Sequence, residues 1–182
     1  MSDASALDRL LLARSVKRGD FVLASGRRSS FYVDARLTTM SAEGLILIGR
    51  MGLSAIRQAG WAPRSIGGLT MGADPVAYAI AAASIGTPPV IEAFSVRKEA
   101  KSHGTGRAIE GNFQRGDSVV VVEDVITSGS SALKAIESIV SEGGRVLGVL
   151  AVVDREEGGR ATLESAGHTV VPLTTATRLG LK

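Results

Sequence analysis

The 182-residue sequence contains no cysteine, which excludes disulfide bonds, a thiolate nucleophile and cysteine-ligated metal sites. It also lacks any apolar run near the length of a membrane span, and its N-terminus shows no basic-then-apolar leader pattern. The net charge of +3 is mild, and there is no basic stripe of the kind that binds nucleic acid. We therefore expect a cytoplasmic protein that binds anionic small molecules rather than a membrane or nucleic acid.

The composition is that of an ordinary globular protein, with 45% hydrophobic and 21% charged residues. No repeat or low-complexity tract divides the chain, so we expect one domain over residues 1–182 with a buried core.

Helix-like and strand-like segments alternate along most of the chain. This alternation predicts an α/β fold with a mostly parallel central sheet, flanked by helices, that binds ligands at the carboxyl ends of its strands. A hairpin is predicted from strands at residues 21–26 and 31–35, and Asp74 is predicted as the N-cap of the third helix. Helices are predicted at residues 4–18, 42–58, 75–85 and 133–140, and strands at 65–69, 89–94, 119–122, 145–153 and 168–173.

The segment from Val119 to Ser131 carries the strongest chemical signal. Four consecutive valines predict a buried strand, which ends at the adjacent carboxylates of Glu123 and Asp124. A loop of small hydroxyl residues around Gly129 follows and leads into a helix, where free backbone N–H groups and the helix dipole favour an anion such as phosphate. The carboxylates can accept hydrogen bonds from a diol. Together these features describe a ribose 5-phosphate site; the alternative is an ordinary Ser/Thr cap beside two solvated acids.

A second informative segment covers residues 95–111 and has no apolar periodicity. Its basic side chains outnumber Glu99 and Glu110, and its glycines supply bending points. Such a loop can close over a strongly anionic group and shut out water; the alternative is a solvated surface loop. The basic residues are Arg97, Lys98, Lys101, His103 and Arg107.

Both segments resemble one known family. The segment 119–131 resembles the phosphoribosyl-diphosphate (PRPP) signature of the type I phosphoribosyltransferases, and residues 97–104 resemble the catalytic loop of the orotate phosphoribosyltransferases within that group. Leu23 to Gly26, together with Tyr32 to Asp34, resembles the N-terminal hood of this family, and residues 67–75 resemble its pyrophosphate loop. The resemblance covers roughly residues 5–180.

The resemblance implies a fold and an activity. The fold would be a type I phosphoribosyltransferase-like α/β sheet with a small N-terminal hood, formed mainly by residues 1–40. The activity would be transfer of the 5-phosphoribosyl group from PRPP to N1 of orotate, which gives orotidine 5′-monophosphate and diphosphate and belongs to pyrimidine biosynthesis. The implied cofactor is Mg²⁺, held through PRPP with no direct protein ligand, and the implied assembly is a homodimer that shares its catalytic loop across the interface.

The resemblance also implies roles for individual residues. Thr127 and Arg155 would contact orotate, and the basic loop would bind the diphosphate through Arg97, Lys98, Lys101 and His103. The residues implied to be catalytic are Lys101, Arg97, His103 and Asp124. The ribose and its 5-phosphate would be held by Glu123, Asp124, Val125, Ile126, Thr127, Ser128, Gly129, Ser130 and Ser131.

Two positions depart from the family pattern. Many members carry lysine in the hood where this chain has Ala24, so a contact to the base is either missing here or supplied by Arg27 or Arg28. Some members carry lysine in the pyrophosphate loop where Met71 stands. The alternatives are a phosphoribosyltransferase for another base, such as a purine, and a non-catalytic PRPP-binding regulator of the same fold.

Overall fold

The computed structural model of the protein describes residues 2–22, 28–99 and 108–182. One two-stranded sheet contains β1 and β2, and a six-stranded sheet has the strand order β5-β4-β3-β6-β7-β8. In chain order the elements are α1 (Asp3–Arg14), β1 (Val16–Val22), β2 (Arg28–Val33), α2 (Arg36–Thr39), α3 (Ala42–Gln58), β3 (Ser65–Leu69), α4 (Ala73–Ser84), β4 (Glu92–Val96), β5 (Ile109–Gly111), β6 (Ser118–Ile126), α5 (Ser130–Ser141), β7 (Arg145–Asp154), α6 (Gly159–Ser165) and β8 (Val170–Thr175).

The six-stranded sheet is parallel except at one edge. β3 pairs in parallel with β4 and with β6, β6 pairs with β7, and β7 pairs with β8, whereas β5 runs antiparallel to β4. The predicted α/β fold with a mostly parallel sheet is therefore confirmed. β5 was not predicted, because its three residues lie at the end of a segment without apolar periodicity. Within the described ranges, none of the helices is both long enough and apolar enough to cross a membrane.

Helices cover both faces of this sheet. Along β6, Val120 and Val122 pack into a core shared with α1, α3 and α4, whereas Val119 and Val121 pack into a second core against α5 and α6. All four valines are fully buried. A strand that is apolar on both of its faces is typical of the interior of a parallel sheet, which explains the unbroken valine run.

The N-terminal region contains α1, the β1–β2 hairpin and the short α2. The predicted hairpin is confirmed, but its strands begin earlier than predicted, and residues 23–27 lie outside the described residues. The first helix ends at Arg14 rather than at residue 18, because Val16 pairs with Val33 and so belongs to the hairpin. We call residues 2–22 and 28–40 the hood segment.

The start of α4 also differs from the prediction. The helix begins at Ala73 and is preceded by Gly72, so Asp74 is not its N-cap. Asp74 lies in the first turn instead, where its Oδ2 accepts a hydrogen bond from Thr70 Oγ1 at 2.5 Å. The carboxylate thus closes the loop that enters the helix rather than capping a backbone N–H group.

We expect Gly49→Ala to destabilise the protein, although alanine is the better helix former by about 0.5–1 kcal/mol. Gly49 lies where α3 meets α4, and a Cβ atom there would be 2.6 Å from the carbonyl oxygen of Ala79. The clash should lower the free energy of unfolding by about 1–3 kcal/mol, measured by urea denaturation. Gly86→Ala is the control, since its Cβ would meet no atom within 4 Å. Equal stability of the two variants would contradict this close approach of the helices.

Candidate functional site

A cleft of about 520 Å³ opens at the carboxyl ends of β3, β6 and β7, against the hood segment. Its walls come from hood residues 32–36, the β3–α4 connection at residues 69–72, the end of β6 with its following loop, and Arg155 after β7. This is the edge at which open parallel sheets bind their ligands.

The cleft brings together eight of the fourteen residues for which the sequence predicted a role in binding or catalysis. Four others that the structure describes, Arg97, Ile126, Gly129 and Ser130, are not among its lining residues. Lys101 and His103 lie outside the described residues, so their expected roles remain predictions. The eight residues that line the cleft are Lys98, Glu123, Asp124, Val125, Thr127, Ser128, Ser131 and Arg155.

The loop between β6 and α5 forms a tight turn at the floor of the cleft. Gly129 has a φ of 81° and directly precedes the helix. A Cβ at Gly129 would lie 2.8 Å from the carbonyl oxygen of Gly159, and a Cβ at Gly159 would lie 2.7 Å from the amide nitrogen of Gly129. Ser128 Oγ and Ser130 Oγ lie 2.9 Å apart in a hydrogen bond. Since the first N–H groups of a helix lack intrahelical partners, the turn offers donors to an anion.

The two carboxylates at the end of β6 lie in a poorly solvated position. Glu123 is only 6% exposed, and no described residue donates a hydrogen bond to its Oε1. Burial, and to a smaller extent the charge of Asp124, raises the pKa of Glu123 to about 8. Burial also raises the pKa of Asp124. A Cβ at Gly72 would lie 2.5 Å from Asp124 Oδ1, so the β3–α4 loop can approach this carboxylate only because residue 72 is glycine.

The hood segment adds two charged groups to the cleft: Asp34, which lies in the stretch that resembles the hood of the family, and Arg36, which the sequence did not single out. Arg36 donates from Nε to Asp34 Oδ1 at 2.8 Å and from Nη2 to Asp34 Oδ2 at 3.0 Å. This pairing lowers the pKa of Asp34. Both side chains line the cleft, although they lie about ninety residues before the acidic pair, and no motif in the sequence links the two segments.

Arg155 is held at the boundary between the sheet and the hood. It is 3% exposed, and its Nη2 lies 2.7 Å from Glu157 Oε1. Nη2 also lies 3.3 Å from Ser29 Oγ and 3.5 Å from the carbonyl oxygen of Phe31. The guanidinium carbon is 4.8 Å from the centre of the Phe31 ring. Arg155 therefore fixes β2 of the hood against the end of β7 while lining the cleft.

Arg97 and Lys98, at the start of the 95–111 segment, differ in their surroundings: Arg97 pairs with Glu110, whereas Lys98 lines the cleft. Arg97 donates from Nε to Glu110 Oε1 at 2.9 Å, and its amide donates to the carbonyl of Ala108 at 2.8 Å. These contacts keep Arg97 at the β4–β5 edge. Lys98 lines the cleft, and its backbone carbonyl accepts a hydrogen bond from Lys134 Nζ of α5.

Two positions depart from the family pattern, Ala24 and Met71, and Arg27 and Arg28 are the possible substitutes for the missing lysine; of these four residues the structure describes Met71 and Arg28. Met71 is 58% exposed and lines the cleft. Arg28 lines a neighbouring depression, with Glu157 and Lys182, and its contact to the base remains a prediction. Ala24 and Arg27 lie outside the described residues.

Glu123 should make the stability of the protein depend on pH. Its folded-state pKa of about 8 lies above the ordinary value of 4.5, so between these values the folded state holds the proton more tightly than the unfolded state. The stabilisation of the folded state by protonated Glu123 is fully present below the ordinary pKa of 4.5 and is lost as the pH rises through the folded-state pKa of about 8. Compared with Glu123→Gln, the native protein should therefore lose free energy of unfolding between about pH 5 and about pH 8. Urea denaturation at both pH values tests this, and a constant difference between the two proteins would contradict it.

Comparisons with known proteins agree with one another, although no protein-family model matches the chain. The chain is 47% identical over 170 residues to the orotate phosphoribosyltransferase of Aquifex aeolicus, with 92% of each chain covered. It is 40% identical over 184 residues to the orotate phosphoribosyltransferase of Rhodopirellula baltica, with 99% of this chain and 95% of that protein covered.

A solved structure agrees as well. The crystal structure of Mycobacterium tuberculosis H37Rv orotate phosphoribosyltransferase in complex with PRPP superposes with a TM-score of 0.83 and 38% sequence identity, and the match covers 99% of this chain and 100% of that one. Identities of this size over almost the whole length, together with the shared fold, show that the chain belongs to the orotate phosphoribosyltransferase family.

Proposed function

We propose that the cleft carries out the reaction of its family, the transfer of the 5-phosphoribosyl group from PRPP to N1 of orotate, which yields orotidine 5′-monophosphate and diphosphate. The observation that carries this proposal is the junction of β6 and α5. There a hydroxyl-rich helix N-terminus and two adjacent carboxylates line one cleft. The first suits a phosphate and the second a diol, and PRPP contains both.

The 5-phosphate would bind at the turn that includes Ser128 and Ser131, where backbone N–H groups and hydroxyls converge. Glu123 and Asp124 would then face the ribose hydroxyls. A carboxylate beside the sugar also favours positive charge that develops on the ring as the bond to diphosphate loosens. The raised pKa of Glu123 means that hydrogen bonds from the ribose would help to ionise it, because donors to a carboxylate favour its charged form.

The diphosphate would lie near Lys98 and the loop that contains Gly72, both on the cleft wall. Lys101 and His103 are proposed to complete its binding, neutralising and protonating the departing group. Arg97 is paired with Glu110 at the β4–β5 edge, away from the cleft of its own chain. We therefore assign it to the cleft of a partner subunit, in a homodimer that shares the catalytic loop.

Orotate would bind beside the sugar, against Thr127 and Arg155. Both residues line the cleft, and a guanidinium is suited to a carboxylate such as the one orotate carries. Attack by N1 on the face of the sugar opposite to diphosphate would complete the transfer.

We propose that magnesium enters this cleft as a partner of the substrate. Among the residues that the structure describes, no group of three or more His, Cys, Asp or Glu side chains could hold a metal ion. Mg²⁺ typically takes one or two carboxylates together with phosphates and water. We propose that PRPP holds the ion through its diphosphate and ribose oxygens, where the ion would neutralise the leaving group, and that the reaction takes place in the cytoplasm.

The reaction itself is tested by following orotate absorbance in the presence of PRPP, with and without Mg²⁺. We expect magnesium-dependent loss of orotate and release of diphosphate in equal amount. Binding of PRPP by calorimetry without any loss of orotate would instead favour a phosphoribosyltransferase for another base, or a PRPP-binding regulator.

Lys101→Ala should leave folding intact and lower kcat by roughly 10²-fold or more, because it removes a cation that stabilises the charge on departing diphosphate. Lys17→Ala is a matched control, since Lys17 is exposed on β1 and does not line the cleft. Steady-state rates and thermal midpoints of both variants give the comparison. If Lys101→Ala turned over like the control, the role of Lys101 would be wrong.

A further inference from the structure

The turn after β7 brings the side chains of Arg155 and Glu157 together. Asp154 Oδ1 accepts a hydrogen bond from the amide of Glu156 at 2.7 Å, and Glu156 has a φ of 56°. The carboxylate of Glu156 accepts in turn from the amide of Thr177 at 2.6 Å. These contacts reverse the chain immediately after Arg155, so that the side chain of Glu157, two residues later, returns to the guanidinium.

Glu157 approaches Arg155 along one edge of the guanidinium. Its Oε1 accepts from Nε at 3.0 Å and lies 2.7 Å from Nη2. The two side chains are only 4% and 10% exposed, so this ion pair is weakly screened by solvent. Ser29 and Phe31 of the hood also contact Nη2. Within the described ranges, Nη1 is the guanidinium nitrogen that has no hydrogen-bond acceptor.

Glu157 contacts Arg155 without lining the cleft. Arg155 lines the cleft but Glu157 does not; Glu157 lines the adjacent depression with Arg28, Ser29 and Phe31. The carboxylate therefore holds Nε and Nη2 of the guanidinium without itself lining the cleft, and it leaves Nη1 for a ligand. Without this contact, the Arg155 side chain, which has several rotatable bonds, would have to be ordered when the ligand binds, and the loss of conformational entropy would weaken binding.

We propose that Glu157 is a positioning residue that sets the specificity of the base site, by fixing Arg155 so that it presents its Nη1 edge to the carboxylate of orotate. This rests on the proposed contact between Arg155 and orotate. Because Glu157 already takes Nε and Nη2, the substrate carboxylate receives a hydrogen bond from Nη1 rather than the Nε/Nη2 fork. Glu157 also offsets the positive charge of Arg155. An anion bound to Arg155 is therefore stabilised more by a well-directed hydrogen bond than by the net charge of the pair.

The test measures steady-state KM and kcat for Glu157→Ala and Glu157→Gln. Loss of the holding contact in Glu157→Ala should raise the KM for orotate about tenfold, the order expected for one charge-assisted hydrogen bond, while the KM for PRPP and kcat change less than about twofold. Glu157→Gln keeps the shape and one acceptor oxygen, so it should recover part of the loss. Glu164→Ala is the control: it removes an exposed pair with Arg160, at 2.8 Å on α6, and should leave both KM values unchanged.

A double-mutant comparison separates this inference from the function that it rests on. If Glu157 acts through Arg155, then Glu157→Ala should add nothing to the orotate KM of Arg155→Ala. Additive effects, equal increases for both substrates, or a fall in the orotate KM of Glu157→Ala would overturn the proposal for Glu157. If Arg155→Ala itself left the orotate KM unchanged, the proposed base contact would be wrong and the role of Glu157 would fall with it.

Discussion

The parallel pairing of β6 with β7 is the constraint on which the rest of the site depends. After one irregularity between Val119 and Val120, the register is constant to the last pair, Ile126 with Asp154. Two further backbone hydrogen bonds continue it, from the Arg155 amide to the Ile126 carbonyl and from the Gly159 amide to the Thr127 carbonyl, both 3.0 Å. A slip of one residue would exchange the two faces of β6 and bury the wrong side chains. The same register places the β6–α5 turn, the proposed phosphate site, next to Arg155, the proposed contact to the base.

Burial and pairing with an arginine have opposite effects on the pKa values of the carboxyl groups in the cleft. Asp34 has Arg36 at hydrogen-bond distance, and its pKa falls, whereas Glu123 has no donor to its Oε1 among the described residues, and its pKa rises. Two carboxyl groups of one cleft thus differ in charge near neutral pH. The poorly solvated Glu123 therefore favours a ligand whose hydroxyl groups can donate hydrogen bonds to it.

Much of this arrangement could be predicted from local sequence, because strand, loop and helix at residues 119–141 each have their own pattern, and α3 matched its predicted bounds of 42–58. Contacts between distant segments could not be predicted. Arg155 meets Ser29 across 126 residues, and neither residue carries a mark of that contact. Arg97 was predicted from its match to the catalytic loop of the family, and its ion pair with Glu110 of β5 is a contact that this match does not reveal. The short β5, which supplies Glu110 as its partner, had no apolar pattern to reveal it.

The facing pair of Gly129 and Gly159 has a geometric consequence. Because no side chain separates the two backbones, the spacing between the β6–α5 turn and the start of α6 is set by van der Waals contact of main-chain atoms and does not vary with rotamer choice. This contact therefore fixes the distance between the proposed phosphate turn and the backbone that begins α6. A methyl group at either glycine would push these two segments apart without itself lining the cleft.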